Sequence, residues 1–96
     1  MKLKEIKKIF TYLYTMYKFI PYNTIEKFLD EIKKWRVSIV ARSRNQFLDQ
    51  YKKYGENLPI NWKIKRENFI KRHLVQYNAN PTYRRKLALI TWAYMP

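Results

Sequence analysis

The chain has 96 residues, no Cys and one His, and its 21 Lys and Arg against seven Asp and Glu give a net charge of +14. This length fits a single domain, residues 1–96, and the absence of Cys excludes disulfides, thiol catalysis and cysteine zinc sites. Because 47% of the residues are apolar and 18% are aromatic, whereas disordered basic tails are poor in both, we expect a folded protein.

Apolar spacing and sparse turn residues predict an all-α fold. One Gly and four Pro leave little material for hairpin turns, and alternation with a period of two is hardly seen. We therefore expect three to four helices in a small irregular helical bundle with one long second helix. The first helix should cover residues 2–20, where apolar residues recur every three or four positions, and Pro21 should end it.

The second predicted helix is the longest and covers residues 23–54. Asn23 should cap its first turn, with Glu26 reaching back as in a capping box. Its apolar seam is interrupted by the mostly polar residues 41–46, so the helix should either bend near Ser43 or project from the core. The predicted core includes four residues from the middle of the apolar seams of the first two helices, which are Phe10, Leu13, Ile32 and Trp35.

Two shorter helices should complete the chain. Gly55 suits a left-handed C-cap, and residues 55–61 should form the one real loop. The third helix is predicted over residues 62–77. Asn80 followed by Pro81 is typical of an N-cap with proline at the first helical position, which places the fourth helix at residues 81–95.

The sequence lacks the residue combinations that catalysis needs. General acid–base and nucleophilic mechanisms need a tuned base beside a nucleophile, and this chain has one His, no Cys and no Gly-rich phosphate loop. The cations Lys71 and Arg72 should lower the pKa of His73 and repel a metal. We therefore predict that the protein is not an enzyme and takes no cofactor, metal or small-molecule substrate.

The functional prediction rests on clusters of Lys and Arg. A guanidinium binds phosphate or carboxylate through paired hydrogen bonds, and nearby hydroxyl and amide groups add contacts to a nucleic-acid backbone. Residues 36–46, 62–77 and 83–86 combine cations with such groups or with aromatic rings that could stack on unpaired bases, although the first stretch could also be an ordinary solvated helix face. The predicted nucleic-acid-binding residues are Arg36, Arg42, Arg44, Lys63, Lys65, Arg66, Lys71, Arg72, Arg84, Arg85 and Lys86.

The first half of the chain resembles a known family. Its relevant segments are Leu13-Tyr14-Thr15, Met16-Tyr17-Lys18, Pro21-Tyr22-Asn23-Thr24 and Arg42-Ser43-Arg44-Asn45-Gln46-Phe47. This order is similar to that of the LYR-motif proteins of mitochondria, which are small, basic and mainly three-helix, and in particular to the accessory subunits of respiratory complex I. The chain departs from the motif at Thr15, where the family has Arg. The resemblance implies that Arg42 and Arg44 face an acidic acyl carrier protein and that the apolar interior receives its acyl chain.

Three classes of function follow from a positive charge spread over the whole chain, because such a charge favours an anionic partner. The first is a non-enzymatic structural protein that binds nucleic acid, RNA rather than DNA, as a small subunit of a ribosome or other ribonucleoprotein. The second is an LYR-like accessory subunit of a mitochondrial respiratory complex that binds an acidic protein. The third is a membrane-surface or viral nucleic-acid-associated protein. We expect an intracellular location, with a mitochondrion or another organelle as the candidate compartment.

Overall fold

The computed structural model describes residues 17–96, and every regular element in this part of the chain is helical. The elements are α1 (Tyr22–Glu26), α2 (Leu29–Lys34), α3 (Ile39–Arg42), α4 (Phe47–Tyr54), a 3₁₀ turn (Gly55–Asn57), α5 (Ile60–Ala79) and α6 (Tyr83–Thr91). The all-α prediction is confirmed, but the predicted count of three to four helices is wrong, since the described residues alone form six α-helices. Within residues 17–96, no helix combines the length and the apolar character that crossing a bilayer requires.

Residues 17–20, directly before Pro21 and α1, are not helical. The predicted first helix lies mostly outside the described residues, and its last four residues, 17–20, reach Pro21 without helical structure. The Ile20 amide donates to the Ala93 carbonyl over 2.9 Å, and the Tyr51 hydroxyl donates to the Ile20 carbonyl over 2.6 Å. Long-range hydrogen bonds thus satisfy Ile20 backbone groups that a helix would have satisfied locally.

The predicted second helix is wrong as a continuous element. Breaks at residues 27–28, 35–38 and 43–46 divide residues 23–54 into α1 to α4. The second and third breaks contain non-glycine residues with positive φ, which are Arg36 at 53°, Ser38 at 48° and Asn45 at 62°. This conformation costs about 1–2 kcal/mol per residue, so tertiary packing must hold it. The breaks let all four helices face one core, which a straight helix of about 48 Å could not do.

Helix ends near residues 23 and 55 match the predictions only in part. The N-cap of α1 is Pro21, and no side chain caps this helix, so the predicted Asn23–Glu26 capping box is wrong. Gly55 is the C-cap of α4 with φ of 59°, as predicted, but its ψ of −140° lies outside the left-handed helical region. The 3₁₀ turn that follows makes the predicted loop shorter and more regular than expected.

Helices α5 and α6 correspond to the third and fourth predicted helices, with shifted ends. The first of them begins after Pro59 and extends beyond the predicted range at both ends. The second begins at Tyr83 because the Thr82 hydroxyl, as N-cap, accepts from the Arg85 amide over 3.1 Å. Asn80 is the C-cap of α5 and not the N-cap of α6, which corrects the prediction.

One hydrophobic core joins these helices. Phe47 of α4 stacks on Trp92, with 4.6 Å between ring centroids, and Trp92 stacks on Phe69 of α5 at 4.7 Å. Ile32 is fully buried as predicted, whereas Trp35 is 42% exposed because it lies at a break and not on a continuous seam. Phe10 and Leu13 lie outside the described residues. The buried apolar residues of the core are Ile25, Ile32, Val37, Ala41, Phe47, Leu48, Tyr51, Leu58, Leu87, Ile90 and Ala93.

Candidate nucleic-acid interface

Arg66 on α5 is fully buried, which removes it from the predicted contact surface. Its guanidinium donates over 2.8 to 3.0 Å to four backbone carbonyls, those of Tyr17, Lys18, Trp92 and Ala93. The guanidinium carbon also lies 3.7 Å from the centroid of the Phe19 ring. The side chain therefore joins α5 to the segment before α1 and to the turn after α6, and its role is structural.

Glu67, the next residue, is also buried, with 7% of its surface exposed. Its Oε1 lies 3.7 Å from Arg66 Nη1, and neither carboxylate oxygen has a hydrogen-bond partner among the described residues. Burial raises the pKa of Glu67 to about 7, although the Arg66 charge and the Tyr17 backbone lower it. Burial also lowers the pKa of Arg66 to about 10, against the opposing effect of Glu67. At neutral pH the guanidinium is therefore charged, while the carboxyl group of Glu67 titrates.

The other described cations lie at the surface. Residues 17–96 contain 17 Lys and Arg against six Asp and Glu, and the buried pair of Arg66 and Glu67 is the single ion pair that these residues form with one another. Every other Lys and Arg in this range is exposed or partly exposed. Carboxylates of the described chain therefore do not pair with the surface cations, and the surface has a strongly positive potential.

Besides Arg66, three of the predicted contact arginines donate to backbone carbonyls. Each donates one N–H over 2.6 to 2.9 Å: Arg42 to Val37, Arg84 to Trp35 and Arg85 to Asn80. Trp35 and Asn80 are the C-caps of α2 and α5, so Arg84 and Arg85 satisfy carbonyls that helix ends leave free. A guanidinium has five N–H donors, and one such bond fixes its direction while leaving other donors for a ligand.

Arg84 and Arg85 border a surface groove of about 420 Å³. The groove lies where the break between α2 and α3 meets α5 and α6. Its lining residues are Val37, Ser38, Phe69, His73, Arg84, Arg85 and Ala88. Two arginines and one serine therefore line the same space as three apolar residues, a combination that suits an anionic ligand with an apolar or aromatic part.

The imidazole ring of His73 is packed within this groove. It stacks on the Phe69 ring, with 3.9 Å between centroids. Burial lowers the pKa of His73, and the charge of Arg72 lowers it further. The predicted effect of the neighbouring cation is therefore confirmed, although it is secondary to burial. At neutral pH the ring is uncharged and contributes a flat aromatic surface to the groove.

Trp35 and Tyr83 form an exposed aromatic pair beside the groove, which we call the aromatic corner. Trp35 is 42% exposed and Tyr83 is 38% exposed. Their rings meet edge to face, with 5.7 Å between centroids. Arg84 connects the corner to the groove because it follows Tyr83, donates to the Trp35 carbonyl and lines the groove. Arg36, which follows Trp35, is exposed and adds a further cation next to the corner.

The remaining predicted contact residues do not line the groove. Among these residues, Arg44, Lys65, Lys71 and Arg72 are exposed and Arg42, Lys63 and Lys86 are partly exposed. Lys65 Nζ lies 4.7 Å from the centroid of the Trp62 ring, so the predicted neighbourhood of cation and aromatic ring on α5 is present. The hydrogen bond from Arg84 to the Trp35 carbonyl thus joins the third predicted stretch to the residue that precedes Arg36, while the cations of the second stretch lie along α5 outside the groove.

Several residues that complete the groove were not predicted as site residues. Ser38 and Phe69 lie far apart in the sequence, and a small residue and an apolar one are typical of packing positions. They line one groove with Arg84 where the chain changes direction after α2, at the positive φ of Arg36 and Ser38. Residue type does not predict positive φ at Arg or Ser, so no signal in the sequence could have placed these groups together.

A scan against protein-family models and searches of the curated proteins and of the solved structures found no match to this chain. The resemblance to LYR-motif proteins stays a prediction, because Leu13, Tyr14 and Thr15 lie outside the described residues. Of the later residues on which it rests, Arg42 ends α3 and Arg44 is exposed in the break that follows.

Proposed function

We propose that this protein binds nucleic acid, RNA in preference to DNA, as a non-enzymatic structural component of a ribonucleoprotein such as a ribosome. The observation that carries the proposal is the unpaired surface charge, since the one ion pair within residues 17–96 is buried. A nucleic acid that binds such a surface releases condensed counterions, which supplies much of the binding free energy. Neutralising the charge also relieves the self-repulsion that opposes a compact fold.

The groove and the aromatic corner are the proposed centre of the contact. Arg84 and Arg85 are held in fixed directions by the carbonyls of Trp35 and Asn80. A positioned guanidinium loses less side-chain entropy when it binds phosphate than a free lysine does. Arg36 and Arg44 are exposed on the adjoining breaks and extend the positive surface beyond the groove.

A structural role agrees with the spread of cations over α3, α5, α6 and the breaks between helices. A protein embedded in a folded RNA meets phosphates from several directions, whereas a protein that reads one duplex groove concentrates its cations on one recognition element. Exposed aromatic rings beside arginine favour RNA, because folded RNA offers unpaired bases on which such rings stack.

Fluorescence anisotropy with the full chain tests the proposal. Labelled stem-loop RNA, DNA of the same sequence and an acidic protein are titrated at low salt. We expect RNA to bind most tightly and the double variant Arg84→Gln with Arg85→Gln to bind RNA at least about tenfold more weakly, since charge-assisted contacts to phosphate contribute roughly 1.5–3 kcal/mol each. The matched control, Lys52→Gln with Lys53→Gln on α4, removes the same charge and should change binding by less than about threefold.

Circular dichroism of each variant confirms that it keeps its helices. Binding of neither RNA nor DNA at low salt would contradict the proposal, and tight binding of the acidic protein alone would support the accessory-subunit alternative. Equal losses in the two double variants would mean that net charge, and not the groove, governs binding.

A further inference from the structure

We infer that the aromatic corner of Trp35 and Tyr83 receives unpaired nucleobases, so that the protein binds single-stranded or loop segments in preference to a continuous duplex. This inference rests on the proposed nucleic-acid binding and adds the form of nucleic acid that the site takes. The cations of the chain would attract any polyanion. The distinction between nucleic-acid forms must therefore come from groups that are not charged.

The exposure of the two rings is the first observation behind the inference. Trp35 and Tyr83 expose 42% and 38% of their surfaces although both carry large apolar groups. They contact each other edge to face at 5.7 Å, an arrangement that covers only one face of one ring. Within the described chain, the pair therefore offers stacking surface to a ligand.

The position of the cations is the second observation. Arg36 follows Trp35 and is exposed, while Arg84 follows Tyr83 and donates to the Trp35 carbonyl over 2.6 Å. An exposed arginine therefore follows each of the two aromatic residues in the chain. A nucleotide strand carries a phosphate on either side of each base, so a base stacked at the corner would have its phosphates next to guanidinium groups.

The groove supplies the third observation. It begins at Arg84 and has an apolar part formed by Val37, Phe69 and Ala88, with the hydroxyl of Ser38 at its wall. Its volume of about 420 Å³ is in the range of small-ligand sites and admits a base or a sugar adjacent to the stacked one. The inference therefore places one base at the corner and the adjacent nucleotide in the groove, with Arg84 connecting the two.

A continuous duplex cannot use this surface in the same way. Its bases are stacked on one another, and a side chain reaches only their edges in the grooves. Duplex binding would therefore rely on the cations alone. A preference for unpaired bases follows, and it depends on the aromatic rings and not on net charge.

The test compares Trp35→Leu with wild type on two RNA probes, a 12-nucleotide oligouridine and a 12-base-pair duplex. Loss of base stacking should weaken oligouridine binding by about 5- to 100-fold. Binding of the duplex should change by less than twofold. Trp35→Phe keeps an aromatic face and should retain most of the oligouridine affinity. The matched control is Tyr54→Leu, at another aromatic residue that is 42% exposed but belongs to α4 and not to the aromatic corner, and it should leave both affinities within twofold.

Photo-crosslinking of the wild-type protein keeps the inference testable if a variant loses its fold. A 4-thiouridine oligonucleotide should crosslink at Trp35 or Tyr83, as identified by mass spectrometry. Crosslinks only elsewhere, or a Trp35→Leu variant that affects both probes equally or neither, would overturn the inference while leaving nucleic-acid binding in place. Absence of binding to both probes would instead remove the proposed function and the inference with it.

Discussion

Arg66 connects parts of the chain that lie 26 to 49 residues from it in sequence, through four hydrogen bonds to backbone carbonyls. Taking a guanidinium out of water is costly, and here carbonyl dipoles and the Phe19 ring compensate for it more fully than Glu67 does at 3.7 Å. The sequence placed Arg66 in a basic stretch with Lys63 and Lys65, and residue type alone could not separate the buried cation from its exposed neighbours.

Replacing Arg66 with Met should destabilise the protein by about 3–5 kcal/mol, because four carbonyls lose their donor and Glu67 loses its cation. The control is Lys65→Met at the preceding position. It changes an exposed residue and should lower the free energy of unfolding by less than about 1 kcal/mol. Chemical denaturation followed by circular dichroism measures both. A loss below about 1 kcal/mol in Arg66→Met would mean that these hydrogen bonds do not contribute to stability.

Glu67 makes stability depend on pH. Its pKa in the folded state is about 7, above the ordinary value of 4.5, so the folded protein retains a proton that the unfolded chain loses. Its stabilising contribution is full below about pH 4.5 and disappears as the pH rises through 7. His73 acts in the opposite direction, because its lowered pKa costs stability as the pH falls. The Glu67→Gln variant separates the two effects.

We expect Glu67→Gln to be more stable than wild type at pH 8, by up to about 3 kcal/mol, and close to wild type at pH 4.5. Gln is nearly isosteric and stays neutral, while His73 is unchanged and cancels in the comparison. Urea denaturation at a series of pH values gives the difference. A difference that does not vary with pH between 4.5 and 8 would show that Glu67 titrates as an exposed carboxyl group does.

At the scale of the helices, the sequence predicted the elements best where apolar periodicity agrees with the Gly and Pro residues that mark helix ends. Gly55 and Pro59 precede the third predicted helix, and Pro81 precedes the fourth. Helix α5 extends the third predicted range by two residues at each end, and α6 lies within the fourth. The bend expected near Ser43 corresponds to the break at residues 43–46. The break at residues 35–38 was not predicted, because Arg36 and Ser38 have positive φ that only the surrounding packing explains.

Ile32 and Trp35 provide a direct test of that unpredicted break. They are three residues apart and would share one buried face of a continuous helix. In the structure Ile32 is fully buried and Trp35 is 42% exposed. Ile32→Ala should therefore cost about 2–5 kcal/mol and Trp35→Ala less than about 1 kcal/mol. Equal losses in thermal denaturation would indicate an unbroken helix through both positions.

For the whole molecule, the net charge of +14 predicts an anionic partner, and the structure shows where the cations of residues 17–96 lie. The basic stretches at 36–46 and 83–86 are predicted from sequence, and the fold joins them where Trp35 contacts Tyr83 and its carbonyl accepts from Arg84. Trp35 was assigned to the core because its spacing fits a helical seam, and only the break that follows α2 exposes it. The candidate site was therefore predictable in its charges and in Tyr83, but not in Trp35 or in the uncharged residues of the groove.

A substitution that tests the charge of residues 36–46 can also remove a structural hydrogen bond. Arg42 is partly buried and its Nε donates to the Val37 carbonyl over 2.9 Å, so a substitution there alters the fold of the break as well as its charge. Arg84 and Arg85 also hold carbonyls, through terminal Nη1 atoms that the shorter Gln side chain does not reach, so circular dichroism must accompany the charge change there as well. Arg44, which is exposed, is the cleaner position in the first stretch.

The salt dependence of RNA binding tests the central claim most directly. Each phosphate that the protein neutralises should add about −0.7 to −0.9 to the slope of log K against log salt concentration. We predict a steep slope for the wild-type protein, and a slope about one to two units shallower for the double variant Arg84→Gln with Arg85→Gln. The control variant, Lys52→Gln with Lys53→Gln, should keep the wild-type slope. A wild-type slope near zero, or one that the Arg84 and Arg85 substitutions leave unchanged, would contradict the account.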